Sequence, residues 1–71
     1  MPNNKLFYMA NQIASFFATQ SGTDQADRVA AHIQDYWEPR MREQFLSKID
    51  KGEEGLSPLA LKAAELLRQP A

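Results

Sequence analysis

Tyr36-Trp37-Glu38-Pro39-Arg40-Met41-Arg42 divides the chain. The residue before a proline is pushed out of the α region, so the apolar-periodic run ahead of Pro39 has to stop at about residue 37. Proline's fixed φ suits the first position of a helix, so a new helix starts at Pro39. The same stretch holds the only tryptophan. It also places Arg40 and Arg42 near the positive end of the new helix dipole, a cost of roughly 0.3–1 kcal/mol for each exposed cation. Glu38 offsets part of that. Two locally disfavoured charges flanking Met41 suggest that something outside this helix uses them.

Working outward, Ala26, Val29, Ala30, Ile33, Tyr36 and Trp37 repeat with helical period. They predict a helix over about 23–37, with Thr23 as its cap and Asp24 and Asp27 at the favourable end of its dipole. Ahead of it, Leu6, Met9, Ala10, Ile13, Phe16 and Phe17 form the stripe of a helix over about 5–20. Asn3 or Asn4 is its cap, and Ser21-Gly22 its stop. After Pro39, the residues Met41, Phe45, Leu46 and Ile49 predict a helix over 39–51 that ends before Gly52. Glu53-Glu54-Gly55 reads as a polar loop. Ser57-Pro58 then caps and opens a helix over 58–68, with Leu59, Ala63, Leu66 and Leu67 on one side. Short connections make consecutive helices neighbours. The fold class is all-α, a small compact bundle of four short helices (about 5–20, 23–37, 39–51 and 58–68). Residues 1–71 form one domain, with 1–4 and 69–71 frayed.

Composition limits function. Seventy-one residues lie near the lower bound for a self-sufficient core, and no cysteine is present to staple one. Dependence on a partner follows as an option from size alone. A net charge of −1 gives no electrostatic footprint for nucleic acid, and no apolar run is long enough for a membrane span. The N-terminal residues lack a signal-peptide pattern, so a soluble intracellular chain is expected. No catalytic residues, cofactor-binding residues or metal ligands are expected. There is no thiol nucleophile and no phosphate loop, and the single histidine, His32, has no second ligand at metal spacing. His32 sits at the edge of its helical stripe and is expected to bond Asp35 or water.

Four residues are candidates for contact with a partner. On the first helix Phe7, Ala14 and Ala18 share a second face with Asn11, either buried within the domain or offered to another subunit. Arg42 falls in the middle of the apolar face of the third helix and needs carbonyls or a carboxylate. Its stem either lies on the core with the charge in water, or the charge meets an acid on a partner. Trp37 is a core wedge at the corner or an aromatic anchor, and these roles are compatible. Arg40 points outward with a planar fork suited to carboxylate, phosphate or carbonyl groups.

Met9-Ala10-Asn11-Gln12-Ile13-Ala14 with Phe16-Phe17, then His32-Ile33, Trp37-Glu38-Pro39-Arg40-Met41-Arg42 and Gly55-Leu56-Ser57-Pro58-Leu59 occur in an order and spacing that resemble the delta subunit of NAD-dependent, molybdenum-containing formate dehydrogenase. The resemblance runs from about Leu6 to Leu67, and the Trp-Glu-Pro-Arg-Met-Arg run is its most specific part. It implies a non-catalytic accessory subunit of a bacterial cytoplasmic complex. The implied partner is the large catalytic subunit, whose assembly, stability or cofactor loading it would support. Molybdenum cofactor, iron–sulfur clusters, FMN and NAD are implied for the partner subunits and none for this chain. Asn11, Trp37, Arg40 and Arg42 are the residues expected to meet that partner. Two other readings stay open. One is a helix-turn-helix DNA-binding module using Arg40, Gln44, Ser47 and Lys48 of the third helix. The other is a self-associating scaffold, with a homodimer formed by the isolated chain.

Overall fold

Proline, glycine and serine set the corners. The computed structural model describes residues 5–68, which form α1 (Lys5–Ala18), α2 (Gln25–Tyr36), α3 (Pro39–Asp50) and α4 (Pro58–Arg68). The expected fraying at both termini and the Asn3 or Asn4 cap lie outside the described residues. At the α2–α3 corner the chain is extended at Trp37 (ψ 140°) and Glu38 (ψ 153°), and Pro39 occupies the first turn of α3.

At the end of α3, Gly52 takes φ +80°. Its amide donates to the carbonyl of Ile49 (3.0 Å) and that of Glu53 donates to Lys48 (3.2 Å), the paired bonds of a left-handed helix stop. Ser57 caps α4 as expected, its Oγ accepting from the amide of Ala60 at 3.3 Å. Two ends differ from expectation. The first helix stops at Ala18, where the Thr19 hydroxyl donates back to the Phe16 carbonyl (2.7 Å). The second starts after Asp24 rather than Thr23, and Asp24 pairs with Arg28 at 3.1 Å instead of capping with its side chain.

α2 lies most extensively against α4, α1 rests on both, and α3 meets α1. Ala60, Ala63 and Ala64 are the buried residues of α4 and face a core that includes Val29, Ala30 and Ile33 of α2. Small side chains of this kind let helix axes approach. The largest fully enclosed side chains are Phe7, Phe45, Ile33 and Val29. Phe45 receives the edge of Phe7 on one side (5.8 Å between centroids) and Trp37 on another (5.3 Å).

The core face of α1 is not the stripe that periodicity favoured. Phe7, Ala10 and Ala14 are buried, whereas Leu6, Ile13 and Phe17 are half-buried and Met9 and Phe16 are exposed. α1 is apolar around nearly half its circumference, so period alone leaves the inward direction open. Phe45 and the alanine surface of α4 select Phe7 and Ala14. The Phe7–Ala14 face is therefore internal, although Ala18 at its end is exposed. Tyr36, expected in the α2 stripe, also points out, as the last residue before the chain turns away.

Candidate interaction surface

The elbow residues have separate surroundings. Trp37 is only 5% exposed and belongs to the core. Arg42, half-buried, turns its guanidinium back onto the end of α2, where Nη1 donates to the carbonyls of Trp37 (2.6 Å) and Gln34 (3.2 Å). The Gln34 carbonyl belongs to the last turn of α2, the negative end of its dipole, so the charge that is unfavourable for α3 is favourable for its neighbour. Of the two kinds of partner expected for Arg42, those within the chain are thus backbone carbonyls rather than a carboxylate. Arg40 is exposed, with no hydrogen bond or ion pair among the described residues.

Asn11 also has partners inside the chain. Its Nδ2 donates to the carbonyl of Gly55 (2.7 Å), and its Oδ1 accepts from the amide of Ser57 (2.9 Å). One amide side chain holds both ends of the segment that leads into α4. Gly55, with φ +111°, supplies the backbone geometry that aims its carbonyl at α1. A shallow groove of about 340 Å³ between Asn11, Ala14 and Ala18 of α1 and Ser57, Pro58 and Leu59 marks this junction.

A second set of aromatic residues lies outside the core. Phe16 and Phe17 meet edge to face (5.1 Å), Phe17 faces His32 (6.2 Å), and His32 lies against Tyr36 (4.6 Å). His32 is held between these rings, with no hydrogen bond to Asp35. Tyr8, Phe16 and Tyr36 are 64%, 61% and 75% exposed. Helical spacing arranges α1 here in two parallel rows, Tyr8-Gln12-Phe16 and Met9-Ile13-Phe17, and Gln12 donates from Nε2 to the Tyr8 hydroxyl at 2.7 Å. A groove of about 270 Å³ runs between Gln12, Ile13, Phe16, Phe17 and His32.

Reading the sequence for candidate contacts missed Tyr8, Phe16 and Tyr36. A signal was present, because no charged residue occurs anywhere in 6–23. Among the described residues, no group of three or more His, Asp or Glu side chains is arranged to hold a metal ion, and no helix is long and apolar enough to cross a membrane.

The family described as NADH-dependant formate dehydrogenase delta subunit FdsD matches residues 5–64. No curated protein and no solved structure matches the chain. The matched span contains α1, α2, α3 and most of α4, together with the elbow, the Asn11 junction and the outer aromatic residues.

Proposed function

We propose, because the chain belongs to the formate dehydrogenase delta-subunit family, that it is a non-catalytic accessory subunit. In this reading it binds the large subunit that carries the molybdenum cofactor and iron–sulfur clusters of a cytoplasmic, NAD-reducing complex. It supports that subunit's assembly, stability or cofactor loading. FMN and NAD sites belong to other subunits, and this chain contributes binding surface rather than reaction chemistry.

The observation that carries the reading is the family match across residues 5–64. The geometry supports it in a specific way. Asn11, Trp37 and Arg42 hold the α4 approach and the α2–α3 elbow in one shape, which presents Arg40 and Tyr36 outward together. Partner contact at the elbow then falls to Arg40, with Trp37 and Arg42 fixing its direction and Asn11 acting at a distance through the α1–α4 junction. A rigid presenting element limits the ordering cost of association.

Affinity purification of the tagged chain from its host, with identification of what accompanies it, tests the proposal. Recovery of a formate dehydrogenase containing molybdenum and iron–sulfur clusters is the expected result. Recovery of the chain alone under gentle conditions, with formate oxidation unchanged in a deletion strain, overturns it.

A further inference from the structure

The apolar side chains left outside the core are concentrated on one surface. Tyr8, Met9 and Phe16 of α1 and Tyr36 of α2 account for four of the five exposed large hydrophobic residues among those described. Half-buried Ile13, Phe17 and His32 join them into a continuous face. At about 150–250 Å² per aromatic side chain, the exposed parts of Tyr8, Phe16 and Tyr36 amount to roughly 300–500 Å². That matches the largest patch on a typical monomer, before the half-buried residues are added.

The charge pattern is equally uneven. All eight basic and nine acidic residues lie outside 6–23, and at the near rim Asp24 and Arg28 neutralise each other. Depletion of charge together with enrichment in Tyr, Phe and Met is the composition of the buried centre of an interface. The rival surface, on α4, has a wider groove of about 390 Å³ beside exposed Leu61, but Lys62 and Glu65 line it.

We infer that the α1–α2 aromatic face, with the groove between Gln12, Ile13, Phe16, Phe17 and His32 at its centre, is the docking site for an amphipathic helix of the large subunit that is uncharged where it meets the rings. This deepens the delta-subunit reading and rests on it. Three features select that occupant. The groove, at about 270 Å³, lies at the small end of ligand-sized sites and is lined mainly by apolar and aromatic side chains, which suits an apolar side-chain anchor. Among the described residues every regular element is a helix, so no sheet edge is available for strand addition. An amphipathic helix with apolar anchors at i, i+3, i+4 and i+7, laid between two helices, matches the i, i+4 rows that α1 presents.

Membership of a delta-subunit family selects a partner subunit over a second copy. The exposed parts of three aromatic side chains supply roughly 300–500 Å² of the about 800 Å² per partner of a standard stable interface, enough for its centre. The remainder would come from the half-buried residues and from contacts past Tyr36 towards Arg40. Within the face, the Tyr8 hydroxyl proton and Gln12 Oε1 remain to bond neutral groups, since Gln12 Nε2 already donates to Tyr8. Acidic or basic side chains laid over the rings themselves would be desolvated, since the chain offers no opposite charge between Lys5 and Asp24.

The test is binding of the wild-type chain and two variants to the purified large subunit, with melting of each isolated chain as a fold control. Phe16→Glu combined with Tyr36→Glu changes two exposed positions and is expected to weaken binding by at least about 30-fold, the loss of one hot-spot residue. Leu61→Glu on α4 is expected to stay within about threefold of wild type, as for a contact outside the interface. Hydrogen exchange on the wild-type complex gives an independent readout if the double variant fails to fold. Slowed exchange over residues 6–17 and 32–36, with α4 unchanged, supports the inference. Unaltered binding by a folded double variant, or protection centred on α4, overturns it and leaves the delta-subunit reading intact. A wild-type dimer that the double variant abolishes, with unchanged affinity for the large subunit, assigns the face to a second copy and also overturns it. Failure of the wild-type chain to bind the large subunit at all overturns both.

Discussion

The molecule contains two aromatic clusters built from similar residues and placed oppositely. Phe7, Phe45 and Trp37 meet edge to face inside the bundle, and each is nearly sealed from water. Phe16, Phe17, His32 and Tyr36 make ring contacts at similar distances on the outside of α1 and α2. Both clusters satisfy the geometry preferred by aromatic rings, so ring contact alone does not identify a core. The difference lies in what covers them. The inner cluster draws on two helices, α1 and α3, and on the corner after α2, and lies within the core. The outer one is a two-helix seam that leaves Phe16 and Tyr36 exposed among the described residues. The contrast separates residues that hold the fold from residues that the fold displays.

The strongest way to break the contrast is to truncate a member of each cluster. Trp37→Ala is expected to destabilise the isolated chain by about 3–5 kcal/mol, the usual cost of removing a buried aromatic side chain. In so small a domain that is enough to unfold most of it, and denaturant titration measures it. A change below 1 kcal/mol with weakened complex formation would instead move Trp37 to the partner surface and erase the distinction.

Arg42 tests whether the elbow is held from inside. Replacing it by methionine keeps much of the stem and removes the charged donor to the carbonyls of Trp37 and Gln34. Hydrogen bonds from a charged group contribute about 1.5–3 kcal/mol, so a loss in that range is expected in thermal or denaturant melts. Asn11→Ala removes two neutral bonds that fasten the approach to α4. About 1–2 kcal/mol is expected for such a pair, with faster hydrogen exchange at the Ser57 amide as its local signature.

These expectations also show what the sequence made legible. The four helices, the stops at Pro39 and Gly52 and the start at Ser57-Pro58 were readable because each depends on a few adjacent residues. The inward face of α1 was not. Its apolar arc is wide, and the choice between Phe7 and Phe16 is made by Phe45 and by α4, far away in the chain. Asn11 was singled out as a polar residue on a face of small side chains. Its partners, 44 and 46 positions away, exist only once the helices are stacked. Arg42 was nearer to being legible. Carbonyls were one of the two kinds of partner that its place on an apolar face called for, and an arginine just after a helix break has the carbonyls at the end of the preceding helix within reach.

Arg40 gives the smallest effect and the clearest sign. It lies at the start of α3, exposed and without a partner among the described residues, close in sequence to the displayed ring of Tyr36. Removing a cation from a helix N-terminus relieves an unfavourable dipole interaction, so Arg40→Ala is expected to stabilise the isolated chain by about 0.3–1 kcal/mol at low ionic strength. The gain should shrink as salt screens the exposed charge. Affinity for the large subunit is expected to move the other way, because the exposed guanidinium, without a partner among the described residues, is open to one on another subunit. Melting and binding measured on the same variant separate the alternatives. Higher stability with weaker binding extends the displayed surface from the aromatic seam to the elbow. Higher stability with unchanged binding ends that surface at Tyr36, and lower stability would mean that Arg40 supports the fold.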